Sequence, residues 1–379
     1  MSANSLIYLD YNSTTPVDPE VLNYMLPYFT ASFANPASAT HAAGRQIAEV
    51  ITSSRVTIAE FIGCEPGELI FTSGSTESIN LAIKGVANRY REKGRHIITW
   101  QTEHRAVLDV CKNLEASGFL LSYLPVDREG MADAELYEKT IRPETILTIM
   151  MLANNETGVI QPVQQFADIA HKHNSLIFCD ATQAAGKMRI DVNELHVDLL
   201  CISAHKMYGP KGTGALFIRR KNPRVALEPF IHGGGHESGL RSGTLNVPGI
   251  TGMAKAAELA TQKYWEETAK LSALRTVVEQ LLTTNSIAYV NGSIKNRLPN
   301  TTNICFPGKK AESLLIKLPQ LALATGSACS SALPEPSHVL RAMGLTDDQA
   351  YSSIRFSMGR FTTAEEIHET VNLILPLLN

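Results

Sequence analysis

Lys206 closes the apolar run in VDLLCISAHKMYGPKG (197–212) and stands beside Ser203, His205 and Gly209. A lysine carried to the end of a buried strand loses water around its ammonium. Its pKa falls, and the neutral amine becomes an imine-forming nucleophile. A solvated loop lysine is the ordinary alternative; the buried approach and the glycine-rich exit argue against it here. Twenty-six residues earlier, Asp180 ends a second apolar run in FCDATQ. It reads either as a helix N-cap or as a carboxylate facing a cationic ring nitrogen. A lysine for the imine and an Asp partner for a pyridinium are what pyridoxal phosphate (PLP) requires.

The phosphate of such a cofactor needs donors of its own. TSGSTESINLAI offers Gly74, Ser75 and Thr76 just before a helical pattern, where unpaired N–H groups and the helix dipole favour an anion. Alone, the stretch would equally serve as a capping sequence. Ser203 and His205 add donors, and His104 in TEHRA could stack on a flat ring or move protons. Cys329 lies in ATGSACSSALPEPSHVL (324–340), among small residues that offer little apolar area to bury. None of the six cysteines forms a C-x-x-C pair, so free thiols are expected and zinc-ribbon spacing is absent. Cys111, Cys179 and Cys201 sit in helical or apolar patterns and read as inert core. That leaves Cys329 as the thiol placed to react. GPKGTG and HGGGHE lack the spacing and context of dinucleotide or oxyanion-hole loops.

These residues must be positioned by something. From about residue 45 to 220, helical stretches such as RQIAEVITSSRVTIAEFIG and SINLAIKGVANRYREKG (ending at Gly94) alternate with short apolar runs. The runs ELIFTS, HIITW, LSYLPV, TILTIMML, SLIFCDAT, VDLLCISA and GALFIRR predict strands of a mainly parallel sheet covered on both faces. Ligands bind beyond the carboxyl ends of such strands, and the chemistry-bearing residues cluster there. A long helix over roughly 248–283 leads into a second unit, with strands in TTNICFPG and IRFSMGRF and helices in AESLLIKL and AEEIHETVNLILPLL.

A chain of 379 residues exceeds one ordinary core, which predicts two domains. With 34 basic against 37 acidic residues the net charge is −3, which argues against a nucleic-acid or membrane surface. No apolar run approaches membrane-spanning length, and no basic segment followed by an apolar run opens the chain. A cytoplasmic protein is expected.

The segments YLDYNSTTP, TSGSTESIN, TEHRAV, ANNETGVIQPV, DATQAAGK, SAHKMYGPKGTGAL, LRSGTLN, GSACSSA and IRFSMGRFT together resemble the cysteine desulfurases, PLP enzymes of aminotransferase class V. GSACSS is similar to the group I (NifS/IscS-like) branch. The resemblance runs from about residue 6 to 375. It implies an α/β architecture of PLP fold type I (aspartate aminotransferase-like), with a large, mainly parallel seven-stranded sheet domain at 15–255. Residues 1–14 and 256–379 would form a smaller α+β domain carrying a mobile Cys329 loop. Lys206 would carry the cofactor, Asp180 would pair with its ring nitrogen, and His104 would stack on the ring and help move protons. Gln183 and Asn155 would hydrogen-bond the ring hydroxyl and substrate region, while Ser75, Thr76, Ser203 and His205 would hold the phosphate. Thr244 would reach the neighbouring subunit's phosphate, making a homodimer. Arg355 would bind the substrate carboxylate, with Asn35 beside it. No metal is implied.

The implied reaction converts L-cysteine to L-alanine and leaves a persulfide on Cys329, which passes to a sulfur-acceptor protein. Iron–sulfur assembly, tRNA thiolation and DNA phosphorothioation are the possible destinations. A selenocysteine lyase or small-amino-acid transaminase on the same fold, and a non-catalytic sulfur-relay or scaffold subunit, are the alternatives. The chain departs from the family pattern at Ala34, where glycine is usual, and at Ser238, where arginine is usual. It also ends at Asn379, short of the tail found on housekeeping members.

Overall fold

The computed structural model describes residues 6–284, 287–325 and 335–378. Its strands are β1 (Ile7–Tyr8), β2 (Leu69–Thr72), β3 (His96–Trp100), β4 (Leu120–Leu124), β5 (Thr145–Met151), β6 (Leu176–Asp180), β7 (Leu199–Ser203), β8 (Gly214–Ile218), β9 (Tyr289–Val290), β10 (Thr301–Cys305), β11 (Leu321–Ala322) and β12 (Ser353–Ser357). Seven of them form one sheet in the order β2-β8-β7-β6-β5-β3-β4. Strand β8 runs antiparallel to both its neighbours, and the remaining pairs are parallel. Strands β3, β5, β6, β7 and β8 are buried at every position. Continuous apolar runs of this kind are what a sheet with helices on both faces demands. Only β4, at the edge, is partly exposed.

Two hydrophobic layers cover the sheet. One packs the helices Ala42–Ile62 and Val163–Lys172 on one face; the other packs Ser75–Arg89 and Arg105–Ala116 on the opposite face. The sequence pattern places the end of the helix that begins near Ser75 at Gly94. The helix stops at Arg89, and the amides of Lys93 and Gly94 turn back onto the Tyr90 carbonyl. Gly94 is needed for a different reason: a Cβ there would collide with the Glu144 backbone.

The helix Val247–Thr283 joins two cores. Its first half (Ile250, Met253, Ala257) packs under the large sheet; its last turns (Leu274, Val278, Leu282) enter a separate cluster with Phe306, Phe356 and Ile374. That second core lies on the antiparallel sheet β12-β10-β9. Ile7 and Leu9 also pack into it, because β1 pairs in parallel with β11. The chain then crosses from the second core to the carboxyl ends of the large sheet within a few residues.

Candidate active site

Register brings the carboxyl ends of adjacent strands level: Met151 pairs with Asp180, and Asp180 with Cys201. A cavity of about 580 Å³ opens beyond them, walled by the large sheet on one side and by Arg355 of β12 on the other. Ser75, Thr76, His104, Asn155, Asp180, Gln183, Ser203, His205, Lys206 and Arg355, the expected site residues, all line it. Thr244 and Asn35 do not; both are exposed, and Asn35 Oδ1 accepts the amide of Ala37 at 2.9 Å. Cys329 lies outside the described residues.

Lys206 ends a single 3-10 turn, Ala204–Lys206, that follows β7 directly. Its Nζ donates to the carbonyls of Asn12 (2.6 Å) and Ser13 (2.7 Å). Asp180 is not a helix cap. Its Oδ1 accepts the amide of Thr182 at 2.9 Å and the Thr182 hydroxyl, and Cys201 Sγ lies 3.5 Å away. The carboxylate is therefore oriented at the strand end and nearly buried.

An anion cradle sits at the start of the helix Ser75–Arg89. Gly74 holds φ +146 and caps that helix without a side-chain bond, leaving the first-turn N–H groups to whatever the cavity offers. Gly214 of β8 must be glycine, since a Cβ there would lie 2.7 Å from Gly74 Cα, while at Gly74 it is the backbone φ of +146 that favours glycine. Thr182 gives its one hydroxyl proton to Asp180, so in its 2.6 Å contact with Ser75 Oγ the serine donates, tying the cradle to the Asp180 turn. Glu77, in the same first turn, is neutralised by Arg241 at 2.8 Å, which contributes to holding its pKa below the usual carboxylate value. His205 bonds Thr14 Oγ1 through Nδ1 at 3.1 Å. Burial, then the charges of Lys206, Lys211 and Lys187, pull its pKa down to about 4, so it is neutral at neutral pH.

His104 caps the helix Arg105–Ala116, with Nδ1 accepting the Ala106 amide at 3.1 Å. A backbone N–H can only donate, so neutral His104 carries its proton on Nε2. Its ring is open to the cavity but enclosed by protein elsewhere. Burial and Lys206 lower its pKa against the opposing pull of Asp180. Gln183 is oriented by a similar argument. Lys187 Nζ donates to Gln183 Oε1 at 2.7 Å, which turns Gln183 Nε2 toward Asn12 O at 2.9 Å. Arg355 pairs with Asp10 (2.6 Å), bonds Ser13 Oγ (2.8 Å) and donates to Asn155 O (2.8 Å).

These residues fit PLP on the structure's own terms. An amine and an oriented carboxylate converge in one cavity, an uncapped helix start faces it, and the buried Asn155 Oδ1 has no partner among the described residues. The cysteines among the described residues are built into the protein. Cys111, Cys179, Cys201 and Cys305 are buried, burial raises their pKa values, and Cys64 is pushed up to about 12. Residue types alone missed Asn12, Ser13, Thr182 and Lys187. They stand within YLDYNSTTP and DATQAAGK, but their roles depend on backbone carbonyls and long-range contacts.

The aminotransferase class-V family model matches residues 7–369. The chain is 49% identical over 368 residues to cysteine desulfurase IscS of Anaeromyxobacter dehalogenans (strain 2CP-C), covering 97% of this chain and 91% of that one. It is 50% identical over 373 residues to the IscS of Pectobacterium carotovorum subsp. carotovorum (strain PC1), with the same coverage. Among solved structures, a NifS-like protein superposes with TM-score 0.92 at 37% identity over 98% of this chain and 99% of that one. SspA in complex with cysteine superposes with TM-score 0.82 at 36% identity, covering 94% and 99%.

Proposed function

The chain belongs to the aminotransferase class-V family, and on that premise we propose that the cavity residues share out the chemistry of a cysteine desulfurase as follows. The protein is a PLP-dependent cysteine desulfurase. When bound, PLP supplies an electron sink that acidifies the Cα–H of the amino acid and labilises its Cβ–Sγ bond. Lys206 would hold the cofactor, and its amine would take or return the Cα proton. The Asn12 and Ser13 carbonyls keep its Nζ in place. Asp180 supplies the negative charge opposite the ring nitrogen. The helix start at Gly74–Thr76, with Ser203 and neutral His205, holds the phosphate. Gln183 presents an N–H donor to the ring hydroxyl. His104, neutral with its proton on Nε2, would stack on the ring and move protons. Arg355 binds the cysteine carboxylate, in competition with Asp10.

Cys329 receives the sulfur. Its thiolate forms a bond to the substrate Sγ as the Cβ–Sγ bond breaks, and the electron pair stays with the carbon skeleton, which is protonated to alanine. A thiol and cysteine thus become a persulfide and alanine, with no outside oxidant or reductant. Cys329 follows Thr325, which lines the cavity, by four residues. Four residues reach at most about 14 Å, a span that lets the thiol reach the cavity. The observation that carries this reading is the meeting of Lys206 and Asp180 at the ends of adjacent strands, opposite an uncapped helix start.

Cys329→Ser tests it. The variant should keep the cofactor absorbance and lose both the persulfide and alanine formation from cysteine; full turnover would place the acceptor elsewhere. An external sulfur-acceptor protein then removes the persulfide. Presenting purified iron–sulfur scaffold, tRNA-thiolation and phosphorothioation proteins to labelled enzyme would identify its class. We further propose a homodimer in which Thr244 reaches the neighbour's phosphate. Its exposure outside its own cavity and the exposed Leu26, Phe29 and Phe33 support this. A monomer by sedimentation would refute it. No helix among the described residues is long and apolar enough to cross a membrane. A cytoplasmic location, where thiols stay reduced, suits a reaction that runs on a free thiol.

A further inference from the structure

Glu156 takes no part in the chemistry above, yet it is almost wholly buried in the cavity wall. Its place is fixed by a tight turn. Asn154 Oδ1 accepts the amides of Glu156 (2.9 Å) and Thr157 (3.0 Å), and Asn303 Nδ2 holds the Glu156 carbonyl at 3.3 Å. The carboxylate Oε2 accepts the hydroxyl of Ser337 at 2.5 Å. Ser337 donates this bond, and its Oγ also accepts the Leu340 amide as N-cap of the helix His338–Ala342. Arg355 and Arg105 face the same carboxylate. Packing alone would be served as well by an apolar side chain, without the cost of burying a carboxyl group.

What Glu156 holds is one end of a segment. Next in the chain, His338 Nε2 donates to the Glu103 carbonyl at 2.9 Å, beside His104. The helix behind it is anchored by Val339, Leu340 and Met343 in a small buried cluster. On the upstream side, Arg355 N donates to Ala324 O at 2.8 Å. Cys329 therefore falls in sequence between two fixed points, Ala324 and Ser337, each bonded to a residue of the cavity wall.

We propose that Glu156 is a positioning residue for sulfur transfer: through Ser337 it fixes at the cavity wall the downstream end of the segment that bears Cys329. The proposal rests on Cys329 as the sulfur acceptor. Glu156→Ala removes the tether and leaves the helix cap; Ser337→Ala removes both. In the PLP-loaded enzyme, single-turnover persulfide formation on Cys329, read by mass spectrometry, should slow roughly tenfold to a hundredfold in each. The double variant should be no slower than the worse single one. Cofactor content and the absorbance change on adding cysteine should stay as in the parent protein, and Ser337→Thr, which keeps the hydroxyl, should restore most of the rate.

Persulfide formation at the parent rate in Glu156→Ala overturns the proposal. So does a slowing matched by an equal loss of the cysteine-induced absorbance change, which would make Glu156 part of substrate binding. Should Glu156→Ala not fold, Ser337→Ala against Ser337→Thr carries the same test. Cys329→Ser run alongside separates the two failures: persulfide persisting in that variant refutes the acceptor, not the tether.

Discussion

Lys206 and Asn12, 194 residues apart in sequence, meet at 2.6 Å through the lysine Nζ and the asparagine carbonyl oxygen. The same oxygen accepts Gln183 Nε2, so one backbone group orients both the amine and a neighbouring amide. Asn12 is held in turn by Thr301 Oγ1 (2.9 Å) and Asn300 Nδ2 (3.1 Å), on and next to β10 of the second core. The position of the reactive amine thus depends on how the second core sits against the large sheet.

Borohydride treatment of the loaded enzyme should fix the cofactor to the peptide containing Lys206. Lys206→Ala should lower alanine production at least about a thousandfold, since the attachment point and proton carrier are lost together. Normal alanine production in that variant would remove Lys206 from its assigned role.

The protein around His104, on the sides that do not face the cavity, and Lys206 lower its pKa from the ordinary 6.5 against the pull of Asp180. The ring therefore stays neutral as pH falls through 6.5, and any step that needs it neutral persists into mildly acidic solution. The acid limb of kcat/KM should lie below pH 6.5 and change in His104→Gln. A limb above 6.5 that this substitution leaves in place would exclude His104 as its source.

Arg355 offers a planar fork that lysine cannot copy. Arg355→Lys should raise the KM for cysteine by roughly ten- to a hundredfold, with a smaller effect on kcat. A KM unchanged from the parent value would leave Arg355 a structural residue holding Asp10, Ser13 and the Asn155 carbonyl rather than the substrate.

Burial pushes the pKa of Glu156 up to about 7 from 4.5. The folded chain then binds a proton that the unfolded chain has released. The stabilisation is complete below the unfolded value and is lost as pH rises through about 7, by at most about 3 kcal/mol. Thermal melts of Glu156→Gln against the parent protein should show the variant gaining relative stability from about pH 5 to pH 8. A constant difference would contradict this.

Arg360 bridges Asp18 and Glu267, each at 2.5 Å, with its guanidinium 4.3 Å from the Tyr208 ring centre. All three charged side chains are nearly buried. Arg360→Ala leaves two carboxylates without their partner, a loss on the order of 3–5 kcal/mol. Denaturant unfolding should report it, and a midpoint unchanged from the parent protein would show that the network contributes nothing.

The sequence by itself showed the seven strands of the large sheet and β10 and β12, because mostly apolar runs such as TILTIMML and VDLLCISA suit a sheet covered on both faces, while the two-residue strands β1, β9 and β11 left no such run. With the strands came the placing of Asp180 and Lys206 at carboxyl ends, since each residue directly follows or closes such a run. The cradle at Gly74–Thr76 was legible for the same reason: a glycine and small hydroxyls at the start of a periodic stretch are a local signal. The tertiary structure alone decided which groups those residues meet. Lys206 against Asn12 and Ser13, Lys187 behind Gln183, Asp10 on Arg355 and Glu156 on Ser337 join positions far apart in the chain. Such contacts leave no periodicity to read. They arise only when strand register and the docking of the second core bring separate backbone segments within hydrogen-bonding distance.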